Sequence, residues 1–173
     1  MKHIGNLTIT DQNLESCLVL EEVTGCLSVQ AKGARFPALV KAGWLSVLAE
    51  GAQFPKLVEA GWLDVWAEGA QFPKLAQVTG ALSVQAKDAQ FPALGRVIAM
   101  STWGLVLLNN RMFCAGCRGP WTREQALAHW GKRTDKRAKL FTAAIRKLGE
   151  DALPLPTNWT SRSSRGIRRD RGK

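Results

Sequence analysis

Apolar residues recur along residues 1–100 with a period of 18 or 19 positions. Phe-Pro pairs begin at Phe36, Phe54, Phe72 and Phe91, so the spacings are 18, 18 and 19 residues. Before each pair, a Leu-x-Val triplet alternates apolar and polar positions, which is the period-two pattern of a strand with one buried face. Helix-pair repeats need about 34 residues, and every period here contains Gly and Pro. The pattern therefore predicts one strand in each repeat.

Equivalent positions in the repeats hold the same kind of residue. One apolar column consists of Leu27, Leu45, Leu63 and Leu82, and the next of Val29, Val47, Val65 and Val84. Because one coil cannot bury its own apolar face, the coils must stack, and the columns then become interior ladders. The sequence predicts a mainly β protein with a short parallel β-solenoid over residues 1–100, either plain or as a compressed relative of the leucine-rich repeat. Gly25, Gly43, Gly61 and Gly80 are expected at tight corners.

The repeats end after residue 94, and the open end of a solenoid needs a cap. Residues 101–121 alternate strand-like runs with a turn and predict a β-hairpin. Residues 122–150 predict two helices, the first opened by a capping box from Thr122 to Gln125 and the second running from Thr134 to Gly149. Residues 151–173 form a basic tail with little to bury, which we expect to be disordered.

The outward side of the predicted strands carries a group of large apolar side chains. Neighbours of inward-facing residues point outward, which places Trp44, Leu48, Trp62 and Trp66 together on the two central coils. An exposed aromatic cluster of this kind often marks an interface. Two interpretations remain open: the cluster binds a partner, either another protein or a second copy of the chain, or the C-terminal segment folds over it.

Charge is distributed unevenly along the chain. The net charge is +10. Residues 1–95 carry seven basic and nine acidic residues, whereas residues 96–173 carry 17 basic and five acidic ones. An anionic partner would therefore bind the C-terminal part. The tail contains five arginines that are candidates for nucleic-acid binding, with improved solubility as the alternative role. These arginines are Arg162, Arg165, Arg168, Arg169 and Arg171.

Three residues offer candidate metal chemistry. Cys114 and Cys117 form a Cys-x-x-Cys pair, and His129 follows in the predicted first helix. A zinc site needs a fourth ligand, and none stands out, so structural cysteines are the favoured interpretation over metal. No phosphate-binding glycine loop or paired catalytic carboxylates occur, and a Cys117–His129 nucleophile pair has no evident third group. We expect neither an enzyme nor a cofactor.

The repeats, exemplified by LSVQAKGARFPALVKAG, are followed by CAGCRGPWTREQALAHWG. Together these segments resemble small solenoid proteins encoded by bacteriophages and prophages. The likeness covers most of residues 1–145, and Cys117, Arg118, Ala126, His129 and Trp130 match the C-terminal motif. Cys114 falls outside that motif, which weakens the zinc interpretation. The resemblance implies a stoichiometric inhibitor of host defences, of the kind to which anti-CRISPR proteins belong.

The sequence therefore leads to two functional expectations. The first is a non-catalytic accessory protein of phage or mobile-element type that binds a host protein or ribonucleoprotein complex through the tryptophans and the basic C-terminal module. The second is a nucleic-acid-binding protein that uses the basic helices and tail. No apolar run approaches the ~20 residues of a membrane span, and no signal peptide opens the chain, so we expect a cytoplasmic protein without a membrane partner.

Overall fold

The protein is mainly β, with a parallel β-solenoid of about five coils, a small antiparallel sheet and two helices. A computed structural model describes residues 1–86, 88–109, 111–115 and 118–148. The predicted fold class is confirmed. The Arg-rich tail and Cys117 lie outside the described residues.

Seven strands form the parallel sheet of the solenoid. They are β1 (Lys2–His3), β2 (Leu7–Ile9), β3 (Glu22–Val29), β4 (Lys41–Val47), β5 (Glu59–Val65), β6 (Gln77–Val78) and β7 (Leu82–Val84). A short 3-10 helix, Leu14–Leu18, connects β2 to the next coil. The strands β1 and β2 pair with β3, followed in order by β4 and β5, and β5 pairs with β6 and β7.

The strand register follows the columns that the repeat predicts. Leu45 pairs with Leu27 on one side and Leu63 on the other, and Leu63 pairs with Leu82. All four leucines are at most 3% exposed. Identical side chains therefore stack at the strand spacing of about 4.8 Å and fill a continuous core.

The phenylalanines of the Phe-Pro pairs form a second interior ladder. The ring centroids of Phe36 and Phe54 are 4.9 Å apart, and the two ring planes differ by 9°. Phe54 and Phe72 are also 4.9 Å apart, with planes that differ by 4°. These phenylalanines are fully buried. Each phenylalanine is followed by a proline, which has no N–H and lies outside the regular strands, as expected for a coil corner.

The prediction that Gly43 and Gly61 lie at tight corners is wrong. Gly43 and Gly61 lie inside β4 and β5, and a Cβ atom on Gly61 would collide with the backbone carbonyl oxygen of Gly43. These glycines are needed because adjacent coils approach each other closely there. The corner glycines belong to another column, Gly33, Gly51 and Gly69, whose φ angles of 67°, 70° and 69° are left-handed.

The predicted hairpin is part of a larger antiparallel cap sheet. Its strands are β8 (Gly95–Met100), β9 (Gly104–Leu108), β10 (Phe113–Ala115) and β11 (Arg118–Trp121), in the order β11-β10-β9-β8. Alternate residues of β9 and β10 face opposite sides of this sheet. Val106 and Cys114 pack into the solenoid core, whereas Leu105, Phe113 and Ala115 pack against the helices. The sheet therefore closes the solenoid end and carries the helical module.

The two helices are α1 (Arg123–Gly131) and α2 (Lys136–Lys147). The predicted capping box at Thr122 is confirmed, with both of its reciprocal hydrogen bonds to Gln125. The second helix begins two residues later than predicted, because the Asp135 side chain accepts a hydrogen bond from the Ala138 backbone N–H and acts as its N-cap. In the part of the chain that the structure describes, neither helix is long and apolar enough to cross a bilayer.

Candidate partner-binding groove

The four predicted contact residues lie on one outer surface of the solenoid, here called the tryptophan face. Trp44, Leu48, Trp62 and Trp66 are 45%, 46%, 47% and 50% exposed. Trp44 and Trp62 occupy paired positions of β4 and β5, and their ring centroids are 5.0 Å apart with a 34° tilt. The coil spacing thus places the two indoles against each other, and each leaves about half of its surface to solvent.

Two local features fix the tryptophans in place. The indole Nε1 of Trp66 donates a hydrogen bond of 2.6 Å to Asp64 Oδ2. On the coil that follows, Gly80 leaves room for Trp62, because a Cβ atom at that position would collide with Cδ1 and Nε1 of the indole. The Trp62 ring therefore lies between the Trp44 ring and the Gly80 backbone, which restricts its rotamers.

The helical module forms a second wall opposite the tryptophan face. Trp103, Trp130, Arg133 and Arg137 line a groove of about 520 Å³ together with Trp44, Trp62, Asp64 and Trp66. Leu48 belongs to the tryptophan face but does not line this groove. The sequence left open whether the C-terminal segment covers the tryptophan face. The described helices border this face without covering it, since Trp44, Trp62 and Trp66 remain about half exposed.

Two arginines of the wall stack on aromatic rings. The guanidinium carbon of Arg137 is 4.9 Å from the Trp103 ring centroid, and that of Arg133 is 5.8 Å from the Trp130 centroid. Arg133 also donates from Nε to Asp135 at 3.3 Å. Stacking of a guanidinium on an aromatic ring holds the cation in place and leaves its N–H groups directed along the ring plane.

The groove has a basic wall and one acidic residue on its floor. The described helical region, residues 122–148, contains eight basic and two acidic residues. Asp135, the N-cap of α2, has a lowered pKa. The main cause is the hydrogen bond that it accepts from the Ala138 backbone, and the nearby Arg133 adds to the effect. Asp64 stands between Trp62 and Trp66, and its Oδ1 is buried without a hydrogen-bond partner among the described residues.

The candidate metal ligands do not form a cluster in the described part of the chain. Cys114 is buried in β10, and burial raises the pKa of its thiol to about 12. The His129 ring lies 4.6 Å from the Trp121 ring and 4.7 Å from the Trp130 ring. Among the described residues, no group of three His, Cys, Asp or Glu side chains is placed to hold an ion. Because Cys117 lies outside them, the complete set stays a prediction.

Sequence reasoning assigned contacts to the basic C-terminal module but did not identify the residues that form the second wall of the groove. Trp103, Trp130, Arg133 and Arg137 come from the cap and the helices, which are not part of the repeat. The only signal in the sequence is the excess of basic residues after residue 95. The five candidate arginines of the tail lie outside the described residues, so their role stays a prediction.

The fold and the site together define a short β-solenoid with an aromatic, partly basic groove at its C-terminal end. Comparisons with protein-family models, curated proteins and solved structures found no match for this chain.

Proposed function

We propose that this protein is a non-catalytic accessory protein that binds a host protein or ribonucleoprotein complex through the tryptophan face and its groove. The observation that carries the proposal is the position of Trp44, Trp62 and Trp66, which are adjacent and about half exposed. Burying the remaining apolar area of these residues in a partner is favourable by about 25 cal/mol per Å². Tryptophan is also among the residues that contribute most to protein interfaces.

The scaffold supports binding because little order is lost when the partner arrives. The Trp62 indole already lies between Trp44 and Gly80, and Trp66 is tied to Asp64. Side chains that are fixed before association lose little conformational entropy on binding. The more specific role, inhibition of a host defence complex by occupying it, comes from the resemblance to phage-encoded solenoid proteins. The groove provides a contact surface for such a role.

The proposal is tested with variants of the tryptophan face. Trp62→Ala and Trp66→Ala are expected to abolish co-purification of a bacterial partner and, with it, inhibition of the defence complex to which that partner belongs. Val58→Ala is the matched control, because Val58 is 43% exposed on the same coil but does not line the groove. If both tryptophan variants bind and inhibit like the wild type, the proposal is wrong. A folded, concentration-dependent dimer that Trp62→Ala dissociates would identify a second copy as the occupant instead.

A second candidate function is nucleic-acid binding, which the basic surface of the helices favours. Six of the eight basic residues in residues 122–148 are exposed, and they accompany a strongly basic tail. Binding through phosphates falls steeply as salt rises, because bound counterions are released on association. Salt-sensitive binding to arbitrary DNA or RNA that is lost on removing residues 157–173 would support this function. Unchanged inhibition by the same truncation would favour the first.

A further inference from the structure

The wall of the groove presents two cations, Arg133 and Arg137, and Arg133 also pairs through its Nε with Asp135 at 3.3 Å. Arg137 stacks on Trp103 and is half-buried, while Arg133 is exposed near the Trp130 ring. The Nε of Arg137 is buried and has no hydrogen-bond partner among the described residues. A guanidinium whose face is occupied by an aromatic ring binds anions with its edge, and a carboxylate fits that edge with two parallel hydrogen bonds.

The floor is apolar apart from one carboxylate. Asp64 Oδ2 accepts the indole N–H of Trp66, and Oδ1 is buried, so that this oxygen is closed to a ligand. The groove thus combines an apolar surface with two cations on one wall within about 520 Å³.

We propose that the groove binds a short, extended, acidic segment of the partner protein; this rests on the proposed function. An apolar side chain of the segment packs on Trp62 and Trp66, and a neighbouring Asp or Glu carboxylate pairs with Arg133 and Arg137. The volume lies within the range of roughly 300–1,000 Å³ typical of sites for compact ligands, so a few residues of the segment enter it.

A single-stranded nucleic acid fits the same groove less well. Bases bind tryptophan by stacking on a free ring face. The Trp62 ring has Trp44 against one side and the Gly80 backbone near the other, so its edge is what it offers to a ligand. Charge does not separate the two ligands, because both are anionic and Asp64 repels phosphate and carboxylate alike. The geometry of the Trp62 ring therefore favours the peptide.

The proposal is tested by selecting random 12-residue peptides, displayed on yeast, for binding to the full chain. The selected peptides are expected to combine Asp or Glu with a nearby large apolar residue. Their affinity is then measured by fluorescence polarisation for the Arg133→Gln/Arg137→Gln double variant. Loss of charge-assisted hydrogen bonds is expected to weaken binding by about tenfold or more. The Lys139→Gln/Arg146→Gln variant removes the same charge from exposed positions of α2 outside the groove, and it is expected to weaken binding less than about threefold.

The outcomes separate this proposal from the one on which it rests. If Trp62→Ala abolishes peptide binding but Arg133→Gln/Arg137→Gln does not, the tryptophan face binds proteins and the acidic specificity is wrong. If Trp62→Ala binds the peptides like the wild type, both proposals fail. Selection of basic or uncharged peptides, or of none, overturns the present one, as does tight binding of an oligo(dT) 12-mer that Trp62→Ala abolishes. Arg133→Gln alone, at an exposed position, gives the same test at a smaller effect if the double variant fails to fold.

Discussion

Adjacent coils approach each other closely at the glycine column inside the strands, which provides a sharp test of the fold. Gly61 lies in β5, and its α carbon faces the backbone carbonyl oxygen of Gly43 on the preceding coil. The same relation holds between Gly43 and the carbonyl of Thr24. In the variant Gly61→Ala, the new methyl group would occupy the space of a backbone atom, so no side-chain rotation can relieve the contact.

The expected cost follows from three contributions. Overpacking a close-packed site costs about 1–3 kcal/mol. Separating the coils locally weakens neighbouring ladder hydrogen bonds, each worth about 1 kcal/mol. Replacing Gly by Ala also restricts the unfolded chain, which offsets about 0.4–1 kcal/mol. The net destabilisation is about 2–3 kcal/mol, which for a chain of this size lowers the melting temperature by roughly 4–12 °C.

The measurement is thermal unfolding followed by circular dichroism, with Gly131→Ala as the matched control. Gly131 is the last residue of α1, and a Cβ atom there would contact nothing within 4 Å. Alanine has the higher helix propensity, so this variant should melt at or slightly above the wild-type temperature. If the two variants melt at the same temperature, the coils are not in contact at Gly61, and the stacking described here is wrong.

Three further predictions concern the core and the titratable groups. Phe54→Ala removes the middle ring of the phenylalanine ladder and should destabilise the protein by about 3–5 kcal/mol in urea unfolding; a loss below about 1 kcal/mol would contradict the ladder. The Nζ of Lys32 lies 2.8 Å from Glu50, and its hydrogen bond and charge lower the pKa of the Glu50 carboxyl. The pair should therefore stabilise the fold above the unfolded-state pKa and lose this effect as the pH falls through the folded-state pKa. An NMR titration in which Lys32→Gln left the Glu50 pKa unchanged would refute the pairing. Burial raises the pKa of Cys114 to about 12, so very little of its thiolate forms at pH 8. Mass spectrometry after iodoacetamide treatment of native protein should therefore show the half-buried Cys26 alkylated before the buried Cys114. Prompt alkylation of Cys114 would contradict its burial.

The solenoid could be predicted from the sequence because its core repeats. Each coil must present the same apolar side chain to the coil above and below, so Leu45 pairs with Leu27 and Leu63 as the alignment of the repeats requires. The same register placed Trp44 beside Trp62 on the outside. A repeat fixes register in this way because a shift of one residue would turn the apolar positions outward.

The glycines show where this reasoning failed. Each central coil has two glycines, one before the Leu-x-Val triplet and one after it, and sequence alone does not distinguish a left-handed corner from a close backbone approach. Gly51 has the positive φ of a corner, whereas Gly61 is required by the neighbouring carbonyl. The difference depends on the distance between coils, which only the stacked structure provides.

The groove could be predicted only in part, because its two walls have different origins. The tryptophan face is a departure from the repeat: the positions equivalent to Trp44 and Trp62 hold Cys26 and Ala81 on the flanking coils. The interior columns are uniform because packing requires it, so the outer positions that differ between coils are the ones free to carry a function. The small Ala81 also lines the groove, and there Trp103 and Arg137 from the cap and helices approach the tryptophans. A repeat alone offers a flat surface. A concave site arises here because the outer side chains of the last coils, such as Ala81, are small where the cap and helices follow the repeats.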